Sequence, residues 1–270
     1  MKKKMHNLNM TAGSLITGFL LLAIITGIFY TPYDPEAMDA SARFAGISLA
    51  HPMGCDNFGR DILSRILEGS RTTLAVALCT VAIGTVCGVL LGAFTGYYGG
   101  WLDEILMRIN DALFAFPSLL LALTLIGLLG PGRSNMTAAL GISFIPSFAR
   151  IVRSEFLKNS KLDYVRSARL QGAGNLRIMF VHILPNTLPV LMSAVMIGFN
   201  NAVLAEAGMS YLGIGVQPPE PSLGRMLSEA QSYLFTAPGY ALFPGLFIIL
   251  MVLGFGLLGE GIAEKGGRHG

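Results

Sequence analysis

The chain is short of charge. Only 13% of its 270 residues are Asp, Glu, Lys or Arg and 53% are hydrophobic, where ordinary soluble domains carry about 25% charged residues. So little charge cannot clothe a water-facing surface, which leaves the bilayer as the solvent. Three cysteines, Cys55, Cys79 and Cys87, make an odd count without metal-type spacing; they indicate no disulfide framework and read as small buried hydrophobes. No Gly-Lys dipeptide occurs, which excludes a P-loop, whose backbone amides and lysine hold phosphates. His6, His51, His182 and His269 are too scattered for a metal set. Neither G-x-S-x-G nor H-E-x-x-H is present. We therefore expect no catalytic, cofactor or metal site, and expect energy for any uphill work to come from another subunit.

What the chain has is long apolar runs. Six can be drawn, at 12–30, 73–96, 109–129, 136–151, 187–205 and 242–262, each bounded by charged or Pro/Gly-rich residues. The fourth is short and carries Pro146, tolerable in a span when neighbours re-satisfy the freed carbonyl. Lys and Arg counted in the connections give an orientation. Lys2, Lys3 and Lys4 precede the first run, Lys265 and Arg268 follow the last, and 150–186 carries Arg150, Arg153, Lys158, Lys161, Arg166, Arg169 and Arg177. The connection at 31–72 is instead net acidic. Both termini are expected in the cytoplasm, and the net charge of +3 reflects topology rather than a nucleic-acid surface. The motif Ala40-Ser41-Ala42 has the form of a signal cleavage site but lies too far past the first run, so that run is read as an uncleaved span. The expected organisation is 1–30 (amino terminus and first span), 31–72 (extracytoplasmic segment), 73–262 (membrane domain with a cytoplasmic insert at 153–186) and 263–270 (cytoplasmic tail).

The insert is the most informative stretch. Residues 161–170 have a helical pattern, with Leu162, Val165 and Ala168 on one face; residues 175–183 have another, with Leu176, Met179 or Phe180, and Ile183. Gly172-Ala173-Gly174 between them predicts a sharp turn. Pro185 is expected to stop the second helix. Two such amphipathic helices can lie on anionic lipid or fill a groove on a partner protein, and the pattern alone leaves both open.

The segment resembles the cytoplasmic coupling loop of ABC-importer permeases. Arg166-Ser167-Ala168 stands where that family has Glu-Ala-Ala, Gly172 is its glycine, and Ile183-Leu184-Pro185 is its ending. Three further runs resemble the peptide/nickel branch of those permeases: HPMGCDNFGRDILSR at 51–65, GYYGGWLD at 96–103, and EAGMSYLGIG at 206–215 followed by QPP and SLG. The resemblance implies an all-α, type I importer membrane domain in a bacterial-type cell membrane. It also implies a second homologous permease, two ATP-binding subunits, and an extracytoplasmic binding protein that delivers peptides or nickel chelates. In such a system Arg166, Ser167, Ala168, Gly172, Leu176, Ile183 and Pro185 would carry coupling to the ATPase.

Other candidates are weaker. Asp56, Arg60 and Asp61 form, with Arg65, an alternating charge set that either caps the spans or docks the binding protein, and Asp61 and Arg65 would pair on a helix. Asp103, Glu104, Arg108 and Asp111 read as ion pairing at the mouth of the third span. Met192 and Met196, with Asn200 and Asn201 nearer the far end of the fifth span, and Glu206 either line a path or pack. A membrane scaffold or channel whose basic loop binds anionic lipid is the competing reading. An intramembrane enzyme ranks last, because the spans hold almost no ionisable groups away from their ends.

Overall fold

The computed structural model describes the backbone of residues 2–266 and the side chains of 10–261. The side chains of Lys2, Lys3, Lys4, Lys265 and Arg268 lie outside that description, as do those of His6 and His269. The helices are α1 (Lys2–Phe29), α2 (Ile62–Tyr98), α3 (Gly100–Phe114), α4 (Ser118–Leu129), α5 (Arg133–Asn159), α6 (Asp163–Leu170), α7 (Asn175–Arg177), α8 (Leu184–Tyr211), α9 (Leu223–Ala230) and α10 (Pro238–Gly266), with no β-strand among the described residues. Five stretches are long and apolar enough to cross a bilayer unaided, and α3 with α4 make a sixth crossing only as a pair.

That pair corrects the expectation of one straight span at 109–129. The two helices meet at 89°. Pro117 disfavours helical backbone at Phe116 before it and has itself an extended ψ of 128°. The second run also begins earlier than expected: α2 starts at Ile62, where the Asp61 carboxylate accepts from the Ser64 amide at 2.8 Å. At about 1.5 Å per residue, α2 extends well past a bilayer core of about 30 Å. The fourth run, 136–151, lies inside the longer α5, with Pro146 within the helix.

Neighbouring contacts give the direction of each helix. Thr17 lies beside Gly254 and Met10 beside Gly261, so α1 and α10 are antiparallel. Met196 and Asn200 of α8 face Gly259 and Gly256 of α10, again antiparallel. The ends of α2 and α5 and the start of α8 gather around α6, and the described ends of α1 and α10 share that side. An even number of crossings follows.

A glycine ridge sets the central seam. On α2, Gly84, Gly88, Gly92 and Gly96 recur every fourth residue and face α5, where a Cβ on each would lie 2.5–2.8 Å from the nearest α5 atom. Lipid tails are as apolar as leucine, so close backbone approach and dispersion rather than water exclusion hold such a pair. Phe144, Phe148, Val152 and Phe156 of α5 bury against this ridge and join one core with α8 and α10, where the Phe199 and Phe255 rings sit 4.3 Å apart.

Candidate functional site

At the α6 end, the chain makes a tight elbow. Asp163 opens α6 and Arg169 occupies its last turn, each matching the helix dipole. Val165 and Ala168 are buried, whereas Leu162 is exposed. The helix ends in a Schellman motif: the Gly172 amide donates to the Arg169 carbonyl and the Ala173 amide to the Ala168 carbonyl, both at 3.0 Å. Gly172 has φ +83°, the left-handed region that favours glycine, with nothing within 4 Å of where a Cβ would be. Gly174 has φ −68° and needs no special freedom.

The second arm differs from the expected short helix. Pro185 does not stop it: Asn175 to Tyr211 runs through as one helical stretch. The accommodation is a π turn at Ile178–Ile183, in which the Leu184 amide reaches back to the Met179 carbonyl. Pro185 has no amide to donate, and widening the turn before it avoids forcing its ring into the normal ladder. Side chains complete the repair, with Asn186 Nδ2 donating to the His182 carbonyl at 2.7 Å. The elbow is therefore continuous with α8.

Two ties fasten it to the bundle. The Tyr97 hydroxyl, at the end of α2, donates to Asn175 Oδ1 at 2.9 Å and accepts from Arg169 Nη2 at 3.2 Å, so one ring joins both arms. The Tyr164 hydroxyl donates to Asn159 Oδ1 at 3.0 Å. Ile178, Met179 and Ile183 are buried beneath. Leu170 is 90% and Leu176 59% exposed, and Arg166, Ser167, Arg169 and Arg177 are exposed on the same short helices. Large exposed aliphatic side chains among arginines suit a protein interface better than a solvated surface.

Beside the elbow, the charged residues before the break pair as expected. Arg153 grips Asp103 with two bonds of 2.6 and 2.7 Å, and Arg150 pairs with Asp111 at 2.7 Å. Glu104 and Arg108 pair at 2.7 Å on the surface.

At the opposite end, Asp56, Arg60 and Asp61 are 0, 4 and 2% exposed, so their charges do not reach a docked protein. Arg60 bridges Asp56 at 2.6 Å and Glu229 at 2.7 Å, while Asp61 caps α2 and meets His51 Nδ1 at 2.9 Å. Arg65 does not pair with Asp61; it pairs with Glu229 at 3.1 Å. The Cys55 thiol is buried here, and desolvation and the Asp61 and Asp56 carboxylates push it up to about 11, which keeps it protonated and inert. Cys79 and Cys87 are exposed, contrary to the expectation of burial.

Glu229 is the hub that the motifs did not reveal. It accepts from Arg60, Arg65, Arg225 and the Tyr240 hydroxyl. Burial pushes its carboxyl up, but the Arg65 and Arg60 guanidiniums and the Tyr240 hydroxyl together hold it below 4.5. A carboxyl whose folded pKa is lowered stabilises fully above 4.5 and loses that contribution as pH falls through the folded value. Thermal midpoints of the purified protein should therefore drop on acidification below that value. Glu229→Gln, which leaves Arg60 and Arg65 short of a counter-charge, should cost about 3 to 5 kcal/mol at neutral pH and flatten the acid limb. Parallel pH curves for the two proteins would show that Glu229 is not the titrating group.

Between α4, α5 and α8 lies a cavity of about 810 Å³. Of Met192, Met196, Asn200, Asn201 and Glu206, only Asn201 lines it. Met196 and Asn200 turn toward α10, and Glu206 is wholly buried, accepting from Thr73 Oγ1 at 2.8 Å and Ser210 Oγ at 2.7 Å. Met192 is not among the lining residues either. The wall is the neighbouring face of α8, with Ser193, Ile197 and Asn201, which the methionine spacing did not indicate.

Residues 88–265, from mid-α2 to the end of α10, match the family described as binding-protein-dependent transport system inner membrane component. The chain belongs to this family. It is 42% identical over 256 residues to the glutathione transport system permease protein of Pectobacterium atrosepticum, covering 93% of this chain and 85% of that one. It is 40% identical to the dipeptide transport system permease protein of Alkalihalophilus pseudofirmus, with 93 and 82% covered, and 38% identical to that of Haemophilus influenzae, with 91 and 86% covered. The fold is shared with the methionine ABC transporter in an inward-facing form, at TM-score 0.60 and 19% identity over 74% of this chain and 95% of that one.

Proposed function

We propose that this chain is one of two membrane subunits of an ATP-driven importer of short peptides, with the α6 end in the cytoplasm and the elbow seated in an ATPase subunit. The observation that carries the proposal is the exposure of Leu170 and Leu176, with neighbouring arginines, on an elbow continuous with α8. ATP-driven closure of the ATPase would move that elbow, and α8 and Tyr97 would pass the movement to the cavity wall and to α2. Transmission requires contacts that differ between the two states. The dipeptide and glutathione names of relatives near 40% identity favour peptides over nickel chelates as cargo. The binding protein would dock at the opposite end, where Asp56, Arg60 and Asp61 hold the shape of the cap and exposed Ile47, Leu49 and Phe235 offer contact.

The test is co-purification of the complete complex. Leu170→Glu with Leu176→Glu should reduce ATPase recovery about tenfold, as expected for two anchors lost from a packed interface, while the second permease stays bound. Unchanged ATPase recovery would place the docking face elsewhere. A wild-type chain that binds anionic vesicles and never an ATPase, losing affinity stepwise as Arg166, Arg169 and Arg177 are neutralised, would instead make the insert a lipid anchor.

A further inference from the structure

The cavity between α4, α5 and α8 carries more information than its position. At about 810 Å³ it lies within the range of pockets that enclose small ligands. Taking helices at 1.5 Å per residue, Ser193 and Asn201 fall within about 7 Å of the midpoint of α8, and Ser147 falls next to the midpoint of α5. The site is thus at the depth where transporters hold substrate. Its polar lining is Ser118, Ser147, Ser193 and Asn201; no Asp, Glu, Lys, Arg or His is among the lining residues. Ser193 Oγ donates to the Pro189 carbonyl at 3.1 Å. Asn201 is exposed, and neither a hydrogen bond nor an ion pair engages it among the described residues. An unpartnered carboxamide within a membrane span is costly against lipid, so it belongs against water or a passing ligand.

Resting on the importer reading, we propose that this cavity is a charge-blind subsite for the peptide backbone, and that Asn201 is the residue that keeps it so. Hydroxyls and a carboxamide each donate and accept. They can pair with amide N–H or C=O in either direction without demanding one residue of the peptide. The remainder of the wall is apolar, with Phe144, Phe148 and Ile197 among its residues. No fixed charge on this chain's wall opposes or traps a Lys or Glu side chain of the cargo, so it lets peptides of either charge enter and leave.

The experiment uses the complete transporter in liposomes with its binding protein saturated by Ala-Lys-Ala, Ala-Gln-Ala or Ala-Glu-Ala. Wild-type ATP-dependent uptake should agree within about threefold across the series, since nothing in the wall distinguishes the charges. Asn201→Asp should favour the lysyl over the glutamyl peptide by about tenfold, Asn201→Lys should reverse that ratio, and Asn201→Ser should leave it flat. Uptake of Ala-Gln-Ala by each variant reports that the complex is assembled and working. A wild-type preference of about tenfold for one charge, or charge-series ratios in both charged variants equal to wild type, overturns the subsite. Absence of ATP-dependent uptake of every peptide by the wild-type complex overturns the importer reading instead.

Discussion

Gly92→Leu is expected to abolish accumulation of folded protein. A Cβ at Gly92 would lie 2.5 Å from the Ala149 carbonyl oxygen and 2.8 Å from the Arg153 amide nitrogen. Both are backbone atoms of α5, so no rotamer change makes room. The helices must part, and parting them also opens the contacts at Gly88 and Gly96 on the same ridge. Overpacking a tight core costs about 1 to 3 kcal/mol, and a bulky branch driven into backbone is expected to cost about 4 kcal/mol or more. That consumes much of a total stability of about 5 to 15 kcal/mol. Gly18→Leu is the matched control, because Gly18 is exposed on α1 with nothing within 4 Å. Membrane levels and a monodisperse profile in detergent should be lost for Gly92→Leu and kept for Gly18→Leu. Equal profiles for the two would mean that α2 and α5 are not seated as described.

The same ridge shows what the sequence displays and what it conceals. The apolar runs were legible because a membrane span needs only length and hydrophobicity, and each falls essentially within one helix, often a longer one, except the run at 109–129. There, Pro117 was visible, but its effect depends on whether neighbours support a straight helix or let it fold over, and that is a tertiary matter. The spacing of Gly84, Gly88, Gly92 and Gly96 was also visible, yet hydropathy treats those glycines as filler. The turn at Gly172 was legible because left-handed backbone has a local residue signature. The passage through Pro185 was not, since a π turn borrows its repair from Asn186 and the packing of Ile178, Met179 and Ile183. Asp56, Arg60 and Asp61 looked like a surface because Glu229, which joins Arg60 and Arg65, lies far along the chain. On α8, residue type was a poor guide to the cavity: Met196 faces α10, Met192 is not among the lining residues, and one position further around the helix Ser193 and Ile197 form the wall.

Gly172→Val is expected to separate ATP hydrolysis from transport while leaving the bundle intact. Gly172 adopts φ +83°, where a β-branched residue is a true outlier. Holding valine there costs about 1 to 3 kcal/mol, and the alternative is to surrender the two Schellman bonds at Ala168 and Arg169. Because a Cβ would meet nothing within 4 Å, the damage is confined to backbone geometry. The elbow would then loosen between α6 and Asn175, slackening the bridge through Tyr97. A lever that bends at its joint absorbs the ATPase stroke instead of delivering it. In the reconstituted complex, uptake and its stimulation of ATPase by loaded binding protein should fall about tenfold, a loss of the size the strain itself can produce, with membrane levels unchanged. Gly172→Asn should retain most activity, since asparagine tolerates the left-handed region. Gly174→Ala should be near neutral, because φ −68° and open space suit alanine. Ala168→Glu, which forces a charge into the buried face of α6, should mimic the valine variant by a different route. If Gly172→Val transports at the wild-type rate with normal ATPase stimulation, the joint is not where movement is passed on. If Gly174→Ala fails as badly as Gly172→Val, flexibility between α6 and α7, rather than the rigidity of the turn, is what transport uses.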